Sequence, residues 1–267
     1  MLHPSFPTTE RILVLGPAGS GKTTDWLNIA KLAQSTGAPT HFHVLDTDFA
    51  VARMLTGYPA LTNVTVYECF DWPDFTSALD KVRAAASPGD WAVVDFMGNA
   101  WSAVQSYFVE QVFHQDIDEY FLTARIQLES VRDKIQKAGK QPRLETFDGW
   151  MDWNVINALY RKWANAYLFR LPGVHLYATA KADPLSDARN PTEDTGTRTL
   201  FLRHGIKPVG QKDLPYQFHT ILLAQRDPRG TFTLTTVKDR ERLELTGAPV
   251  VSFVQTYLLG IAQWKLL

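Results

Sequence analysis

Nine consecutive residues near the start of the chain have the types and spacing of a phosphate-binding loop. They are Gly16, Pro17, Ala18, Gly19, Ser20, Gly21, Lys22, Thr23 and Thr24. The first eight fit the pattern G-x-x-x-x-G-K-S/T without a mismatch. Glycines let the backbone curl so that successive N–H groups point at phosphate oxygens, and the following helix adds its partial positive charge. In such a loop Lys22 would bridge the β- and γ-phosphates, as a binding and a catalytic group, and the Thr23 hydroxyl would bind Mg²⁺. The pattern favours a site for ATP and Mg²⁺ over a flexible glycine turn.

An acidic residue at the end of a buried strand is the second element that such a site needs. Residues 91–94 form a continuous apolar run, which is typical of a strand buried on both faces, and Asp95 follows directly. A carboxylate in that position could hold Mg²⁺, through water, opposite Thr23. The alternative is an aspartate that only ends the strand in a turn.

The catalytic base must come from another strand, because Phe96 occupies the position after Asp95 where many ATPases place a glutamate. Residues 41–45 are predicted to form a strand that leads to Asp46 and Asp48. Strand ends on the same side of such a sheet converge on the ligand crevice, and either carboxylate could orient the attacking water. We favour Asp48 as the base. The alternative is an aspartate turn that caps the next helix.

The hydrophobic patterns predict an α/β fold. Strands are expected at residues 11–15, 41–45, 64–69, 91–94 and 174–180, and helices at 22–34, 73–86, 99–137 and 150–169. Residues 99–137 are long enough to hold more than one helix. Strands that alternate with helices indicate a mostly parallel sheet covered on both faces. Residues 218–224 and 231–237 predict a late antiparallel hairpin at one edge of the sheet. We interpret residues 1–267 as a single domain.

Three segments lie outside this alternation. Residues 1–10 contain no basic or apolar region typical of a signal peptide and are interpreted as an N-terminal extension. Residues 183–211 contain three prolines and three glycines without clear periodicity, and we expect a long mobile loop there. Residues 249–267 have an amphipathic stripe, with Pro249 at its start, that predicts a C-terminal helix.

Composition excludes several classes of protein. The chain has 267 residues, 27 basic and 28 acidic side chains, and 45% hydrophobic residues, so it is neither disordered nor uniformly basic. A local basic groove for nucleic acid is still compatible with this charge. The single cysteine, Cys69, cannot form an internal disulfide. No run of about 18 apolar residues appears, so we expect no contact with a membrane.

These motifs together resemble the RecA-like ATPases, and most closely the phage-encoded group related to Sak-type single-strand annealing recombination proteins. The order and spacing of five segments carry the resemblance: residues 16–24, 45–48, 93–95, 177–181 and 237–240. The resemblance implies a RecA-like core and hydrolysis of ATP with Mg²⁺. It also implies a role in phage DNA recombination or repair, on single-stranded DNA, in the cytoplasm of an infected bacterium. Ring or filament homo-oligomers would be expected.

The resemblance also assigns roles to residues that spacing alone would not identify. In the family an Asp-x-Glu ends the strand that contains Asp46, and this chain has Asp48 there, one methylene shorter. Thr179 corresponds to a polar residue that senses the γ-phosphate, or else it only fills a strand. Lys238 and Arg240 correspond to a Lys-x-Arg pair that enters the neighbouring subunit's site as a catalytic finger. A solvated basic strand end is the alternative for that pair.

The segment 183–211 occupies the place of the family's DNA-binding loop. Its basic side chains are Arg189, Arg198, Arg203, His204 and Lys207, with Lys212 just after it. A mobile basic loop could follow a phosphate backbone, or it could be a solvated excursion. Two other functions stay open. One is a P-loop kinase of a nucleotide or small molecule with this segment as its lid, and the other is a nucleotide-dependent scaffold that does not hydrolyse.

Overall fold

The computed structural model describes residues 9–58, 60–139, 147, 151–189 and 192–258. Its strands are β1 (Arg11–Gly16), β2 (Phe42–Asp46), β3 (Val64–Glu68), β4 (Trp91–Asp95), β5 (His175–Pro184), β6 (Ile206–Pro208), β7 (Thr220–Arg226), β8 (Phe232–Asp239) and β9 (Pro249–Val250). Its α-helices are α1 (Lys22–Ser35), α2 (Ala50–Leu55), α3 (Trp72–Ala85), α4 (Met97–Phe113), α5 (Ile117–Lys137), α6 (Asp152–Arg161), α7 (Thr195–Phe201) and α8 (Leu214–Gln217). Helix α6 continues as a π-helical turn over Lys162–Tyr167.

One mixed sheet organises the molecule. Its strand order is β3-β2-β4-β5-β1-β7-β8-β9, and β6 pairs with the far end of β5. The strands from β3 to β7 in this order are parallel, whereas β8 and β9 are antiparallel to their neighbours. The prediction of an α/β fold with a mostly parallel sheet, flanking helices and a C-terminal antiparallel hairpin is confirmed.

Both faces of the sheet are covered, as the continuous apolar runs predicted. Successive residues of a strand point to opposite faces, so β1 divides its side chains between two cores. Leu13 and Leu15 pack with α3, α4 and α6 on one face. Ile12 and Val14 pack with α1 and with Tyr257 on the other. The two cores fix β1, and with it the loop that follows Gly16.

Segment 183–211 is not the structureless loop that the sequence suggested. Strand β5 extends to Pro184, and α7 and β6 follow within the segment. Polar contacts define these short elements: the Asp194 carboxylate caps α7 by accepting from the Thr197 N–H at 2.9 Å. Hydrophobic periodicity carries no information about such contacts, which is why the prediction was wrong here.

The C-terminal segment also differs from its prediction. Pro249 and Val250 form β9 and pair with Thr235 and Leu234 of β8, so the helix does not begin at Pro249. Proline is tolerated in such a strand because it lies at the edge of the sheet. A π-helical turn follows at Val254–Leu258. The rest of the predicted helix, and most of the N-terminal extension, lie outside the described residues.

No helix in the described part of the chain is both long and apolar enough to cross a membrane.

Candidate functional site

The carboxyl ends of β1, β2, β4 and β5 meet at one end of the sheet, which we call the carboxyl edge. The strand register places Asp46 beside Asp95 and Gly16 beside Lys181. Because β5 lies between β1 and β4, it also brings Thr179 close to Asp95. Parallel strands generally form ligand sites at this edge. The opposite end, where β1 and β5 begin, is called the amino edge.

The glycine-rich loop, residues 16–21, connects β1 to α1 at the carboxyl edge. A Cβ atom on Gly16 would collide with the carbonyl oxygen of Ala224, so only glycine fits between the strands. Gly21 has φ +89°, which L side chains rarely adopt, and it is the N-cap of α1. No side chain caps that helix end. Its N–H groups are therefore available to an anion.

Lys22 holds the loop closed on itself. Its Nζ donates to the carbonyl oxygens of Gly16 at 2.9 Å and Pro17 at 2.8 Å, and the residue is 6% exposed. Burial lowers the pKa of Lys22, and the carboxylates of Asp95 and Asp48 partly offset that effect. The predicted phosphate-binding lysine is thus a buried side chain rather than an exposed one. It makes replaceable contacts to main-chain oxygens.

Asp95 is the most connected carboxylate at the carboxyl edge. It is 1% exposed and accepts hydrogen bonds from the Thr23 hydroxyl at 2.7 Å, the Trp26 indole at 3.4 Å and the Thr179 hydroxyl. Burial raises its pKa, and these three donors work in the opposite direction. A positive charge at this position would favour the ionised carboxylate. Side chains of α1 and β5, both distant from Asp95 in sequence, therefore converge on one acidic group.

The pair formed by Thr23 and Asp95 has the donor chemistry that Mg²⁺ prefers. Mg²⁺ at nucleotide sites usually takes one or two protein oxygens and completes its shell with phosphates and water. A hydroxyl and a carboxylate at hydrogen-bonding distance satisfy the protein's part of that requirement. Within the described ranges, no group of three or more His, Cys, Asp or Glu residues could hold a metal ion.

The two aspartates after β2 have different surroundings. Asp46 is buried, and its carboxylate accepts from the N–H groups of Val51 at 3.0 Å and Asp48 at 3.4 Å. It therefore fixes the start of α2. Asp48 is exposed, accepts from the Ala50 N–H at 3.3 Å, and is close enough to Lys22 to influence its pKa. Asp48 is the one with a carboxylate accessible to a ligand.

Lys238 and Arg240 lie at the other end of the sheet. Strand β8 is antiparallel, and Lys238 pairs with Ile221 near the start of β7. The Lys238 Nζ donates to the carbonyl oxygens of Pro215 and Phe218 at 2.7 and 2.8 Å, and Arg240 donates to that of Tyr216 at 2.6 Å. Burial lowers the pKa of Lys238 to about 8, and the Arg240 charge adds to this. The structure does not bring this pair to the glycine-rich loop of its own chain.

The basic side chains of segment 183–211 are mostly engaged within the chain. Glu193 binds both Lys207 and Arg198, the latter at 3.4 Å, and the hydrogen bonds from Lys207 and Ser186 lower its pKa. Arg203 donates to the Thr236 carbonyl oxygen at 3.4 Å and to the His204 Nε2 at 2.9 Å. Four of the six side chains expected to follow a phosphate backbone thus have internal partners.

Sequence reasoning missed three residues at the carboxyl edge. Trp26 donates to Asp95, and the Phe96 ring lies 5.5 Å from the Lys22 Nζ. Lys181 lies near the same ring, at 5.4 Å. A signal for Lys181 was present in the sequence, since it follows Thr179 by two residues and so occupies the same face of the strand.

No protein-family model matches this chain, and no curated protein matches its sequence.

Proposed function

We propose that this protein is a RecA-like P-loop ATPase that binds ATP with Mg²⁺ and hydrolyses it. One observation carries the proposal: the Thr23 and Thr179 hydroxyls both bond to buried Asp95, beside an uncapped helix start and the ammonium of Lys22. A phosphate chain needs N–H donors and a cation, and its metal needs a carboxylate and a hydroxyl. All four lie at one edge of the sheet.

Each group has a defined part in the reaction. The N–H groups at the start of α1 and the Lys22 ammonium bind the phosphates, for which Lys22 exchanges its contacts to Gly16 and Pro17. Thr23 and Asp95 would hold Mg²⁺, which neutralises charge on the phosphate oxygens when bound. Asp48 orients a water and accepts its proton. The water oxygen bonds to the γ-phosphorus as the bond to the β–γ bridging oxygen breaks, giving ADP and phosphate.

We further propose that the protein acts on single-stranded DNA in phage recombination or repair, as a ring or filament in the bacterial cytoplasm. This part rests on the sequence resemblance. The position of Arg240 supports the assembly, because a cation at the amino edge can reach a nucleotide only in another subunit. Arg189 and Lys212, which are exposed, are the best candidates in and beside segment 183–211 for contact with a phosphate backbone.

The test is ATP turnover by the full chain with Mg²⁺, alone, with single-stranded DNA, and with a panel of nucleosides and nucleotides. We expect ADP and free phosphate, with a rate that rises when DNA is added. Lys22→Ala should abolish nucleotide binding, and Lys31→Ala, an exposed lysine on the same helix, should not.

Other outcomes assign the alternatives. Transfer of phosphate to one member of the panel would identify a kinase, and tight binding without turnover would identify a scaffold. If Lys22→Ala stays folded by circular dichroism and keeps the ATP affinity of the parent, the phosphate-loop assignment is wrong.

A further inference from the structure

A second ammonium group lies beside Lys22 at the carboxyl edge. The Nζ atoms of Lys22 and Lys181 are 5.5 and 5.4 Å from the centroid of the same ring, that of Phe96. The charge of Lys181 is one of the causes that lower the pKa of Lys22, as expected for two nearby cations. Two positive charges around one aromatic ring favour an anion between or beside them.

The strand register explains how Lys181 reaches this place. It pairs with Gly16, the first residue of the glycine-rich loop. Thr179, two residues earlier on the same face of β5, bonds to Asp95. Lys181 is therefore the next side chain in a row that begins at the carboxylate proposed to bind the metal, and it occupies the outer end of that row.

Lys181 differs from Lys22, Lys207 and Lys238 because its ammonium group makes no hydrogen bond or ion pair in the described part of the chain. It is exposed, and within the described residues its ammonium has no ion pair or hydrogen bond. Lys22 and Lys238 donate to carbonyl oxygens, and Lys207 binds Glu193. A cation–π contact made by a solvent-exposed ammonium is weak and leaves the N–H groups available for an oxygen ligand.

The backbone of Lys181 is nevertheless fixed. Its carbonyl oxygen accepts from the Val209 N–H at 2.9 Å, and the next residue, Ala182, pairs with Pro208 of β6. Lys181 thus stands where β5 leaves the main sheet and enters the two-stranded ribbon with β6. The fixed backbone therefore positions the side chain, while its ammonium group keeps its hydrogen-bonding capacity for a ligand.

We propose that Lys181 is a second phosphate-binding cation, supplied by the same chain, whose ammonium contacts the terminal phosphate of the bound nucleotide. This inference rests on the proposed nucleotide site. Lys181 follows Thr179, the partner of Asp95, on one face of β5, and its Nζ lies 5.4 Å from the ring of Phe96, the residue after Asp95. The end of the phosphate chain and the metal would lie beside these residues. A fixed cation there stabilises the charge that develops as the terminal phosphate is transferred. ADP lacks that phosphate and gains nothing from Lys181.

The test compares Lys181→Ala, Lys181→Arg and the exposed control Lys31→Ala in the full chain. The readouts are the Kd values of ADP and of a non-hydrolysable ATP analogue, both with Mg²⁺, and kcat for ATP. In Lys181→Ala we expect the analogue to bind about tenfold more weakly while ADP binding changes less than about twofold, because only a charge-assisted contact to the terminal phosphate is lost. We expect kcat to fall by about 10². Arginine should restore most of both losses, and Lys31→Ala should match the parent.

The outcomes separate this inference from the function on which it depends. If the parent binds nucleotide and Lys181→Ala keeps the same preference for the analogue over ADP, Lys181 does not contact the terminal phosphate and the nucleotide site stands. An equal loss for ADP and the analogue also overturns the inference, since it would indicate a general effect on the loop. If the parent binds no nucleotide, both proposals fall. A parent that binds without turnover leaves the two Kd values as the deciding measurement.

Discussion

The two ends of the sheet each carry a cluster of cations, and the clusters differ in what their side chains contact. At the carboxyl edge, Lys22 and Lys181 stand around the Phe96 ring, near the carboxylate of Asp95. At the amino edge, Lys238 and Arg240 donate to main-chain oxygens of the segment that precedes β7. Lys22 also donates to main-chain oxygens, but Lys181 has no hydrogen bond or ion pair among the described residues, so its ammonium is available to a ligand. At the amino edge both cations donate to the main chain.

Strand direction is the cause of this difference. Parallel strands end together, so the residues that follow β1, β4 and β5 meet at one edge whatever their separation in sequence. Strand β8 runs the opposite way, and Phe232 at its start lies against Gly21 while Lys238 near its end lies at the amino edge. A short motif at the end of an antiparallel strand is therefore directed away from the site that the parallel strands build.

The largest effect tests whether the amino edge has a chemical role in an assembly. Arg240→Ala should lower turnover by about 10³ or more in the assembled state, because a finger from a neighbouring subunit stabilises charge on the transferring phosphate. The measurement is the rate of ATP hydrolysis above the concentration at which sizing shows assembly. Arg229→Ala, an exposed arginine at the tip of the hairpin, is the matched control and should keep the parent rate.

Mixing variants decides whether the site is shared between subunits. Lys22→Ala and Arg240→Ala are each expected to be inactive, but a mixed assembly can combine an intact glycine-rich loop with an intact Arg240 from the other chain. Activity that returns on mixing supports a shared site. If the variants co-assemble and stay inactive, Lys238 and Arg240 have only a structural role. The carboxyl edge would then be the only one of the two edges that takes part in the reaction.

The next effect tests the metal role at the carboxyl edge. Asp95→Asn should lower Mg²⁺-dependent turnover by about 10²–10³, since it removes a charge directed at the metal, and should largely preserve Mg²⁺-independent nucleotide binding. Thr23 can still hydrogen-bond to the amide oxygen, so the fold should persist. Turnover is measured across a Mg²⁺ titration. Coincident titration curves for parent and variant would reduce Asp95 to a structural acceptor.

A smaller effect separates the two aspartates after β2. Asp48→Asn should cut turnover by about 10² with little change in nucleotide affinity, the usual contribution of a positioned base. Asp46→Asn should instead lower the melting temperature, because its carboxylate accepts from two N–H groups at the start of α2. Paired measurements of kcat and Tm distinguish these results. If Asp46→Asn causes the catalytic loss at unchanged Tm, the base has been assigned to the wrong residue.

Sequence reasoning succeeded where local pattern and topology agree. The loop around Lys22, the strand that ends at Asp95 and the late hairpin are each contained in one continuous run of residues, and the fold required only their alternation. It could not predict the contacts of Lys238 with Pro215 and Phe218, because these depend on the pairing of Lys238 with Ile221 rather than on the residues beside it. The contact of Trp26 with Asp95 could not be predicted either, because the two residues are 69 positions apart and meet only through the tertiary fold.

The smallest effect concerns the stability of the amino edge, measured through the pH dependence of the free energy of unfolding. His175 begins β5, is 4% exposed, and its Nδ1 accepts from the Glu10 N–H at 3.0 Å. Burial lowers the pKa of His175 to about 4 from an ordinary value of 6.5, and the Asp90 charge only partly opposes this. Between these two pH values the unfolded chain binds a proton at this position and the folded chain does not. The free energy of unfolding should therefore fall as the pH falls through that window.

The free energy of unfolding is expected to fall by at most about 3 kcal/mol from pH 6.5 to pH 4, a limit set by the size of the pKa difference. Urea unfolding of the parent and of His175→Asn at pH 7 and pH 4.5 measures it, because asparagine keeps an acceptor for Glu10 and does not titrate. The pH dependence of the variant should be shallower than that of the parent. ATP turnover of the variant at pH 7 should equal that of the parent, since His175 lies at the opposite end of β5 from Lys181. Equal pH slopes for parent and variant would show that His175 does not contribute to the acid sensitivity of the fold. A loss of turnover at unchanged stability would show that the amino edge influences catalysis in the same chain.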